Sequence, residues 1–375
     1  MAHTQRVIFH VDMDSFYASC ELTKYPELKE SPFIVGSDPK EGKGRGVVLA
    51  CNYAARKFGI HSGMPISKAW QLCKEAKYVR PDHRLYGQVS ERLMALIRGF
   101  SSKVEQTSID EAYLDVSGEI DAMMKSGASK SDAVKRLAEK IKSAVRESEG
   151  ITCSIGVAHT KTTAKIATDM HKPDGLTIVE PEDVKAFLAP LPTAKIPGVG
   201  KVTQKILSTE LHIENISDLQ RIALDRLQDR LGRTAVWLKR VADGTEDSEV
   251  IPRWEPVSQS GETTFEEDEG NYSKVALVMA EVARDVHERV VKEGYLFKNV
   301  GIKIRFSGFE THTRSRMLPF PTESLEIVNR ECERMLGEFL YSGKKVRLIG
   351  VRLSDLVKKA EEQKTLLEWS EIKQE

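Results

Sequence analysis

The sequence predicts an α+β protein of several domains, and three regions of the chain indicate this fold class. Residues 1–180 mix strand-like and helix-like segments, whereas residues 181–244 contain almost only helices and turns. Residues 257–355 follow the order βαββαβ, which is typical of a compact α+β unit. A chain of 375 residues has room for two or three domains at about 150 residues each.

Apolar runs and amphipathic patterns predict the elements of the first region. The run VIFHVD at residues 7–12 predicts a buried strand, and Asp14 and Ser15 favour a helix cap before Phe16. Further predicted elements are strands at 32–35, 47–50, 151–158 and 176–179, a strand pair with an acidic turn at 104–116, and helices at 52–58, 68–77, 89–100 and 131–145. Ser131 is expected to cap the last of these helices.

The later regions are separated by a segment of different composition. Residues 245–256 hold two prolines, several acidic residues and few apolar ones, and predict a linker. Beyond it, the predicted elements are a strand at 258–265, a helix at 273–292, strands at 299–307 and 311–318, a helix at 322–340 and a strand at 345–353. The charged tail from Val357 is expected to be mobile.

The composition argues against several classes of protein. With 56 Lys+Arg and 56 Asp+Glu the formal net charge is zero, so any basic surface for a nucleic acid or a membrane must be local. Five widely spaced cysteines without a CxxC pattern argue against a disulfide framework or a zinc site and favour a reducing compartment. We find neither a signal-peptide pattern nor a run of about 20 apolar residues, so a cytoplasmic protein without a membrane span is expected.

Acidic residues near the ends of two predicted core strands form the strongest candidate site. Asp12 ends the first strand, and Asp110 and Glu111 lie in the turn of the strand pair. Such carboxylates need a partner, and their hard oxygens suit Mg²⁺ or Mn²⁺ in phosphoryl transfer. The pattern alone leaves a second interpretation open, in which Asp12 and Asp14 cap a helix and the other two acids lie in an exposed hairpin. For Asp14 the cap is the expected role.

Five motifs in order carry a resemblance to a known family. They are VDMDSFYASCE, LACNYAARKFGIHSGMP, SIDEAYLD, SIGVAHTKTTAKIATDMHKPDG and IPGVGKVT. From about residue 5 to about residue 355, the chain thereby resembles the Y-family translesion DNA polymerases of the DinB, or DNA polymerase IV, type. The resemblance implies a right-hand polymerase with a palm at 1–180, fingers inserted at about 24–88, a helical thumb at 181–244 with a helix-hairpin-helix, a linker at 245–256, a βαββαβ little finger at 257–355 and a tail at 356–375.

The resemblance assigns the acidic residues to metal binding. Asp12, Asp110 and Glu111 match the metal ligands of the family, the backbone carbonyl of Met13 adds a ligand, and Asp110 and Glu111 are the implied catalytic residues. The implied cofactor is a pair of Mg²⁺ ions, with Mn²⁺ as an alternative. These ions activate the primer 3′-hydroxyl and bind the triphosphate of the incoming dNTP.

The same resemblance implies a nucleotide site. Tyr17 matches the steric gate of the family, whose ring leaves no space for a ribose 2′-hydroxyl, although a tyrosine on a helix is more commonly a core residue. Phe16, Tyr53, Arg56 and Lys172 match further nucleotide contacts, since Arg and Lys suit phosphate oxygens. On charge pattern alone, a solvated helix face would be the better interpretation of Arg56.

A glycine-rich turn is the first candidate for DNA contact. Gly198, Gly200 and Lys201 lie in IPGVGK, which resembles a helix-hairpin-helix whose backbone N–H groups approach a phosphate. An ordinary turn between two helices is the alternative interpretation. The position after the palm favours DNA.

A local basic patch is the second candidate for DNA contact. Residues 296–352 contain 11 Lys+Arg and 6 Asp+Glu, a local net charge of +5. Strand alternation groups the cations into two faces, Lys303 with Arg305, and His312 with Arg314 and Arg316. The charge pattern alone favours a solvated sheet, whereas the resemblance favours a DNA backbone.

The tail carries a weak match to the sliding-clamp peptides of replication proteins. Gln363, Leu366 and Trp369 have the spacing of such a peptide, but Ser370 stands where a second aromatic residue is expected. A frayed helix is the alternative interpretation.

The predicted function is that of an enzyme, a template-directed DNA polymerase of low fidelity that copies past lesions. Its implied partners are primer–template DNA, a dNTP and a sliding clamp, and it is expected to act as a monomer. Two alternatives stay open, a DNA-binding scaffold without catalysis and another palm-type nucleotidyl transferase such as a cyclase. The intact acidic residues argue against the scaffold, and the hairpin and basic patch argue against the cyclase.

Overall fold

The computed structural model describes residues 6–252, 255–339 and 343–359. The chain folds as two compact units, the first within residues 1–253 and the second within 254–375. No helix in the described part of the chain is long and apolar enough to span a membrane.

The first unit combines two sheets with a series of mostly short helices. Its strands are β1 Ile8–Met13, β2 Phe33–Gly36, β3 Val48–Cys51, β4 Lys77–Val79, β5 Lys103–Gln106, β6 Glu111–Asp115, β7 Cys153–Ala158 and β8 Leu176–Ile178. Its helices are α1 Phe16–Leu22, α2 Tyr53–Arg56, α3 Ile66–Leu72, α4 His83–Arg98, α5 Ser117–Lys125, α6 Lys130–Glu149, α7 Lys161–Thr168, α8 Val184–Leu188, α9 Lys201–Lys205, α10 Ile216–Arg221, α11 Leu224–Leu231 and α12 Arg233–Ala242.

The larger sheet has the strand order β5-β6-β1-β7-β8, and its neighbours are antiparallel except for β7 and β8. In this register Asp12 on β1 lies opposite Glu111 on β6. Directly opposed residues of antiparallel strands project to the same face, so the sheet itself brings these two acidic residues together.

Strand β1 is the middle strand of the larger sheet, and apolar cores cover the sheet on both faces. Phe9, Val11 and Met13 belong to the core that contains residues of α1, α4 and α6, whereas Ile8 belongs to a second core that contains residues of α7. Since side chains alternate along a strand, His10 and Asp12 lie on the Ile8 face. That face is the one covered by α7.

The smaller sheet has the order β3-β2-β4 and its own apolar core with α2 and α3. Asn52 fixes its junction with α2, because its buried side chain accepts hydrogen bonds from the backbone N–H groups of Ala55, at 3.0 Å, and Phe33, at 3.1 Å. The residues that open α2 are thereby held at a defined position against the smaller sheet.

Helices α8, α10, α11 and α12 share their core with α7, and a segment after α12 returns to the sheet. The Glu246 side chain is only 4% exposed and accepts a hydrogen bond from the N–H of Thr162 at the start of α7. The N–H of Ile251 donates to the buried Glu105 carboxylate at 2.8 Å. The beginning of the predicted linker is therefore fastened to the first unit.

The second unit is a four-stranded antiparallel sheet in the order β11-β10-β12-β9, with two helices packed on one face. Its elements are β9 Ser258–Glu269, α13 Tyr272–Lys292, β10 Tyr295–Phe306, β11 Thr311–Thr322, α14 Leu325–Gly337, β12 Val346–Ser354 and the short β13 Val357–Lys358. This chain order is the predicted βαββαβ, with one short strand added. The prediction of a mobile tail from Val357 is wrong for Val357 and Lys358, which pair with β10.

Helix boundaries differ from the predictions where capping residues decide them. Helix α4 begins at His83 rather than at 89, because Asp82 accepts a hydrogen bond from the N–H of Leu85. Helix α6 is capped by Ser129, which accepts from the N–H of Asp132, so the predicted Ser131 cap is wrong. The helix predicted at 68–77 ends at Leu72, since residues from Lys77 pair in β4.

Candidate active site

A cleft of about 220 Å³ opens at the end of β1. Its lining includes acidic, basic and aromatic side chains from both sheets of the first unit. These residues are Asp12, Met13, Ser15, Phe16, Tyr17, Leu49, Ala50, Tyr53, Arg56, Ser62, Asp110 and Lys172. The structure thus brings to one place all predicted metal and nucleotide residues except Glu111.

The turn before β6 holds Asp110 at the cleft. The Ser108 hydroxyl donates to Asp110 Oδ1 at 2.6 Å and accepts hydrogen bonds from the N–H groups of Asp110 and Glu111 at 3.2 and 3.1 Å. The N–H of Met13 also donates to the Asp110 carbonyl at 3.0 Å. Local side-chain bonding of this kind fixes the turn and joins it to the end of β1.

Asp12 forms an ion pair across the cleft. Its Oδ1 lies 2.8 Å from Lys172 Nζ, which also lies 2.9 Å from Asp169 Oδ1. Burial raises the pKa of Asp12 to about 6, although Lys172 lowers it, and the charges of Asp110 and Glu111 act in the same direction as burial. Burial would lower the pKa of Lys172, but its two carboxylate partners raise it above its ordinary value.

Glu111 points toward α7 rather than into the cleft. Its Oε2 is bound by Lys165 and lies 3.5 Å from His10 Nε2, and its Oε1 accepts a hydrogen bond from the Thr107 hydroxyl at 3.0 Å. Burial acts to raise the pKa of Glu111, but His10 and Lys165 outweigh it and hold this pKa well below its ordinary value. Glu111 is therefore a charged carboxylate with three partners.

The donor chemistry of the cleft fits a divalent cation. Asp12 and Asp110 supply carboxylate oxygens and Met13 also lines the cleft, and oxygen donors are those that Mg²⁺ and Mn²⁺ prefer. Within residues 6–252, 255–339 and 343–359, no three His, Cys, Asp or Glu side chains form a ready-made cation site. The third carboxylate, Glu111, points toward Lys165 on α7 and therefore does not join the other two.

Tyr17 borders the cleft on a stack of aromatic rings. Its ring centroid lies 4.7 Å from that of Tyr86 and 5.6 Å from that of Phe16. Tyr86 is fully buried, and its hydroxyl donates to the buried Glu21 at 2.7 Å. The tyrosine ring at the cleft therefore rests on a second tyrosine that cannot move freely. Tyr86 and Glu21 were not among the predicted site residues, because Tyr86 lies outside the five motifs and Glu21 only ends the first of them.

The basic wall of the cleft comes from α2. The Arg56 guanidinium lies over the Tyr53 ring at 4.7 Å and donates to the Ser15 hydroxyl at 3.0 Å. Ser15 has a left-handed backbone, with φ 47° and ψ 43°. Its side chain makes no capping bond to α1, so the predicted Ser15 cap is wrong.

Asp14 is a buried brace, and the predicted helix cap is wrong for this residue too. Its carboxylate accepts hydrogen bonds from the hydroxyls of Thr152, at 2.7 Å, and Ser154, at 2.8 Å. It also accepts from the N–H of Asp174 at 2.8 Å. Asp14 thereby joins the end of β1 to β7 and to the turn that follows Lys172.

The predicted hairpin begins after a short 3-10 helix at Thr193–Lys195 and leads into α9. Gly198 has a φ of 94°, which favours glycine, and a Cβ at this position would touch the Trp237 ring at 3.4 Å. Gly200 directly precedes α9 and Lys201 begins it. Lys201 is exposed.

The basic residues of the second unit lie on the predicted faces, but carboxylates neutralise several of them. Arg314 Nε lies 2.6 Å from Glu338, and Arg316 Nε lies 3.8 Å from Glu331, both acids being on or next to α14. Two further cationic or titratable side chains lie 2.8 Å from a carboxylate, Lys303 from Glu262 and His312 from Glu310. Arg305 donates to the Thr311 hydroxyl at 2.8 Å. The predicted clamp residues Gln363, Leu366 and Trp369 lie outside the described residues.

Comparison with protein families gives three matches along the chain. Residues 11–169 match the impB/mucB/samB family, and residues 256–366 match the C-terminal domain of that family. Residues 181–213 match the HHH motif of the IMS family. The third match contains the predicted hairpin.

Comparison with individual proteins covers nearly the whole chain. A DNA polymerase IV of Methanoculleus marisnigri is 47% identical over 95% of this chain and 96% of that protein. DNA polymerase IV 2 of Methanosarcina mazei is 41% identical over 97% of this chain and 95% of that protein. Among solved structures, a Y-family DNA polymerase chimera of Dbh and Dpo4 has a TM-score of 0.85, and an insertion ternary complex of Dbh DNA polymerase has a TM-score of 0.65. Both are 29% identical and cover 94% of this chain and 100% of the other.

Proposed function

Because the chain belongs to the DNA polymerase IV branch of the Y-family DNA polymerases, we propose that the cleft at the end of β1 is where a deoxynucleotide joins a primer strand. The chain is a template-directed translesion DNA polymerase, and it binds DNA and dNTP. One observation carries the assignment of the cleft: Asp12 and Asp110 border the same space as Tyr17, Arg56 and Lys172.

The acidic side of the cleft is proposed to hold two divalent cations. Asp12, Asp110, Glu111 and the Met13 carbonyl would be the ligands, and Mg²⁺ is the proposed ion, with Mn²⁺ as an alternative. When bound, such ions lower the pKa of the attacking hydroxyl and offset the negative charge of the phosphates. Burial is the main cause of the raised pKa of Asp12, with the charges of Asp110 and Glu111 acting in the same direction, and a nearby cation would favour its charged form.

The basic side of the cleft is proposed to hold the triphosphate. Arg56 offers two parallel N–H donors to phosphate oxygens, and Lys172 offers a point charge. The Tyr53 ring beneath the guanidinium and the Ser15 hydroxyl beside it fix the direction of the Arg56 fork. Phe16 is proposed to support the nucleotide pocket from below, since its side chain is buried under the cleft.

The Tyr17 ring is proposed to select deoxyribose. Its contact with the immobile Tyr86 means that the ring cannot retreat from a bulkier sugar. We expect Tyr17→Ala to admit ribonucleotides, raising their use relative to deoxynucleotides by at least about tenfold, since a steric clash of more than 1.4 kcal/mol is removed. Competitive primer extension with rNTP and dNTP measures this ratio. Unchanged sugar selection would contradict the gate.

The remaining regions are proposed to follow the right-hand arrangement. Residues 1–180 would form the palm, with fingers at about 24–88, and 181–244 the thumb. Residues 245–256 would connect it to a little finger at 257–355, with a tail at 356–375 that carries the clamp peptide. Gly198, Gly200 and Lys201 would contact a DNA phosphate, as would the sheet cations Lys303, Arg305, Arg314 and Arg316. We propose that the protein acts in the cytoplasm as a monomer.

Primer extension on undamaged and abasic templates, with dNTPs and Mg²⁺, tests the proposed site. The wild-type protein is expected to extend past the abasic position. Asp110→Ala should lower nucleotide addition at least about a thousandfold, because several kcal/mol of charge stabilisation are lost. Asp121→Ala on α5, another half-buried aspartate, is the matched control and should extend normally. Extension by Asp110→Ala at the control rate, with DNA still bound, would refute the site.

A further inference from the structure

The three acidic residues of the site differ in the direction of their side chains. Asp12 and Asp110 line the cleft, whereas Glu111 is absent from its lining. The Glu111 carboxylate lies instead against α7, where Lys165 Nζ binds its Oε2. The Lys165 and Glu111 side chains are 27% and 18% exposed, so water screens this pair only partly.

Contacts of the buried His10 on β1 fix the position of Lys165 against the larger sheet. His10 is 1% exposed, and its Nδ1 lies 2.9 Å from the hydroxyl of Thr168, one turn further along α7 than Lys165. Its Nε2 lies 3.5 Å from both Lys165 Nζ and Glu111 Oε2. The His10 ring also packs on Tyr113 at 4.7 Å. Helix α7 is thereby held in register with β1 and β6, and the lysine is directed at one carboxylate oxygen.

The Lys165 ammonium group and a divalent cation would compete for the Glu111 carboxylate. A divalent cation in the cleft that binds Glu111 must either share this carboxylate with the lysine or draw it away from α7. In both cases the ammonium group reduces the attraction between Glu111 and the metal, because like charges repel and the carboxylate charge is already partly neutralised.

We propose that Lys165 is a positioning residue that holds the Glu111 carboxylate against α7 and thereby weakens cation binding in the cleft. This inference rests on the proposed role of Glu111 as a metal ligand. The effect of Lys165 is proposed to run through Glu111, since the ion-pair partner of Asp12 is Lys172 instead. Two of the proposed acidic ligands, Asp12 and Asp110, already line the cleft. The third, Glu111, would have to weaken its ion pair with Lys165 to bind the cation.

Titration of the full chain with Mn²⁺ alone, followed by the electron paramagnetic resonance signal of free Mn²⁺, tests the inference without measuring catalysis. Lys165→Met is expected to tighten Mn²⁺ binding by about tenfold, the equivalent of one charge-assisted hydrogen bond. Lys165→Arg keeps the charge and should bind Mn²⁺ as the wild type does. Lys161→Met is the matched control, since Lys161 lies one turn earlier on α7 and pairs with Glu105 instead.

A double-mutant cycle separates an effect through Glu111 from a general effect of charge. In a Glu111→Gln background, Lys165→Met should change Mn²⁺ affinity by less than about threefold. Tightening of the same size in that background would overturn the inference, as would unchanged or weaker binding by Lys165→Met itself. Lys165→Gln gives the same test if the methionine variant does not fold.

The same titration keeps the two proposals apart. If Glu111→Gln binds Mn²⁺ and adds nucleotides as the wild type does, the proposed ligand role of Glu111 fails. If Glu111→Gln weakens binding while Lys165→Met does not tighten it, the ligand role stands and the inference about Lys165 is refuted.

Discussion

Helix α7 carries two lysines one turn apart, and each pairs with a glutamate on a strand of the larger sheet. Lys161 pairs with Glu105 on β5, and Lys165 pairs with Glu111 on β6. The first pair is deeper, with side chains 14% and 4% exposed, against 27% and 18% for the second. The same type of ion pair therefore occurs twice between α7 and the larger sheet, in two environments.

The two pairs differ in the partners that surround them as well as in depth. Both Glu105 oxygens accept from Lys161, at 2.8 and 2.6 Å, and one also accepts from the N–H of Ile251. Lys161 also donates to the Glu249 carbonyl at 3.2 Å and lies over the Tyr113 ring. The partners of the Glu111 carboxylate are side chains, namely Lys165, His10 and Thr107, and Glu111 lies opposite the cleft residue Asp12 in the sheet. We expect the more deeply buried pair to serve the fold and the more exposed pair to be able to exchange partners.

The same substitution at the two glutamates is expected to give opposite results. Glu111→Gln should lower primer extension by at least about a thousandfold, since it removes a proposed metal ligand worth several kcal/mol. Its melting temperature should stay within about 3 °C of the wild type, because glutamine can still accept hydrogen bonds from Lys165 and Thr107 and the Lys165 side chain is 27% exposed to water. Single-turnover primer extension and calorimetry measure the two effects. Glu139→Gln, at an exposed position on α6, is the control.

Glu105→Gln is the second and smaller expected effect, and it acts on stability. It leaves the buried Lys161 charge without a counter-ion, which should cost about 3 kcal/mol, or roughly 6–12 °C in the melting temperature of the first unit. Nucleotide addition per folded molecule should change by less than about threefold, because Glu105 is neither a proposed metal ligand nor a proposed nucleotide contact. Loss of activity without loss of stability would remove the distinction between the pairs.

A double variant sharpens the Glu105 result. Glu105→Leu combined with Lys161→Met replaces the buried pair by apolar side chains, and such replacements are often neutral or stabilising. The double variant should therefore be more stable than Glu105→Gln. A double variant that is equally unstable would show that the hydrogen bond to Ile251, rather than the charge pair, holds this region together.

Thr107→Val is expected to have the smallest effect. It removes one hydrogen bond to Glu111 Oε1 and leaves the Lys165 contact in place. Primer extension should slow by no more than about fivefold, since one such hydrogen bond is worth roughly 1 kcal/mol. A loss as large as that of Glu111→Gln would mean that Thr107, not Lys165, sets the direction of the carboxylate.

Much of the fold was predictable because its strands are short apolar runs with polar residues at their ends. The strand ending near Asp12 and the pair enclosing Asp110 were predicted from that pattern, and the structure makes them neighbours in one sheet. The resemblance to the Y-family polymerases placed Tyr17, Arg56 and Lys172 in a single site, and all three line the cleft. Local pattern and motif order carry this information without knowledge of distant contacts.

Side-chain partners could not be predicted, because they come from distant parts of the chain. Asp14 has the local signature of a helix cap, but its hydroxyl partners Thr152 and Ser154 are 138 and 140 residues away. Strand alternation placed Arg314 on the correct face of the sheet. Its acidic partner Glu338 directly follows α14, and the strand pattern does not predict how that helix packs on the sheet. The orientation of Glu111 is of the same kind, since it depends on how α7 packs.

Ser15 illustrates a conflict between durability and performance at this site. Its left-handed backbone costs a non-glycine residue on the order of 1 kcal/mol or more, and its hydroxyl holds Arg56 in return. Glycine would relieve that strain and release the arginine. Selection for thermal stability alone would therefore favour glycine at this position. The resulting protein would be more stable but would hold the triphosphate contact Arg56 less firmly.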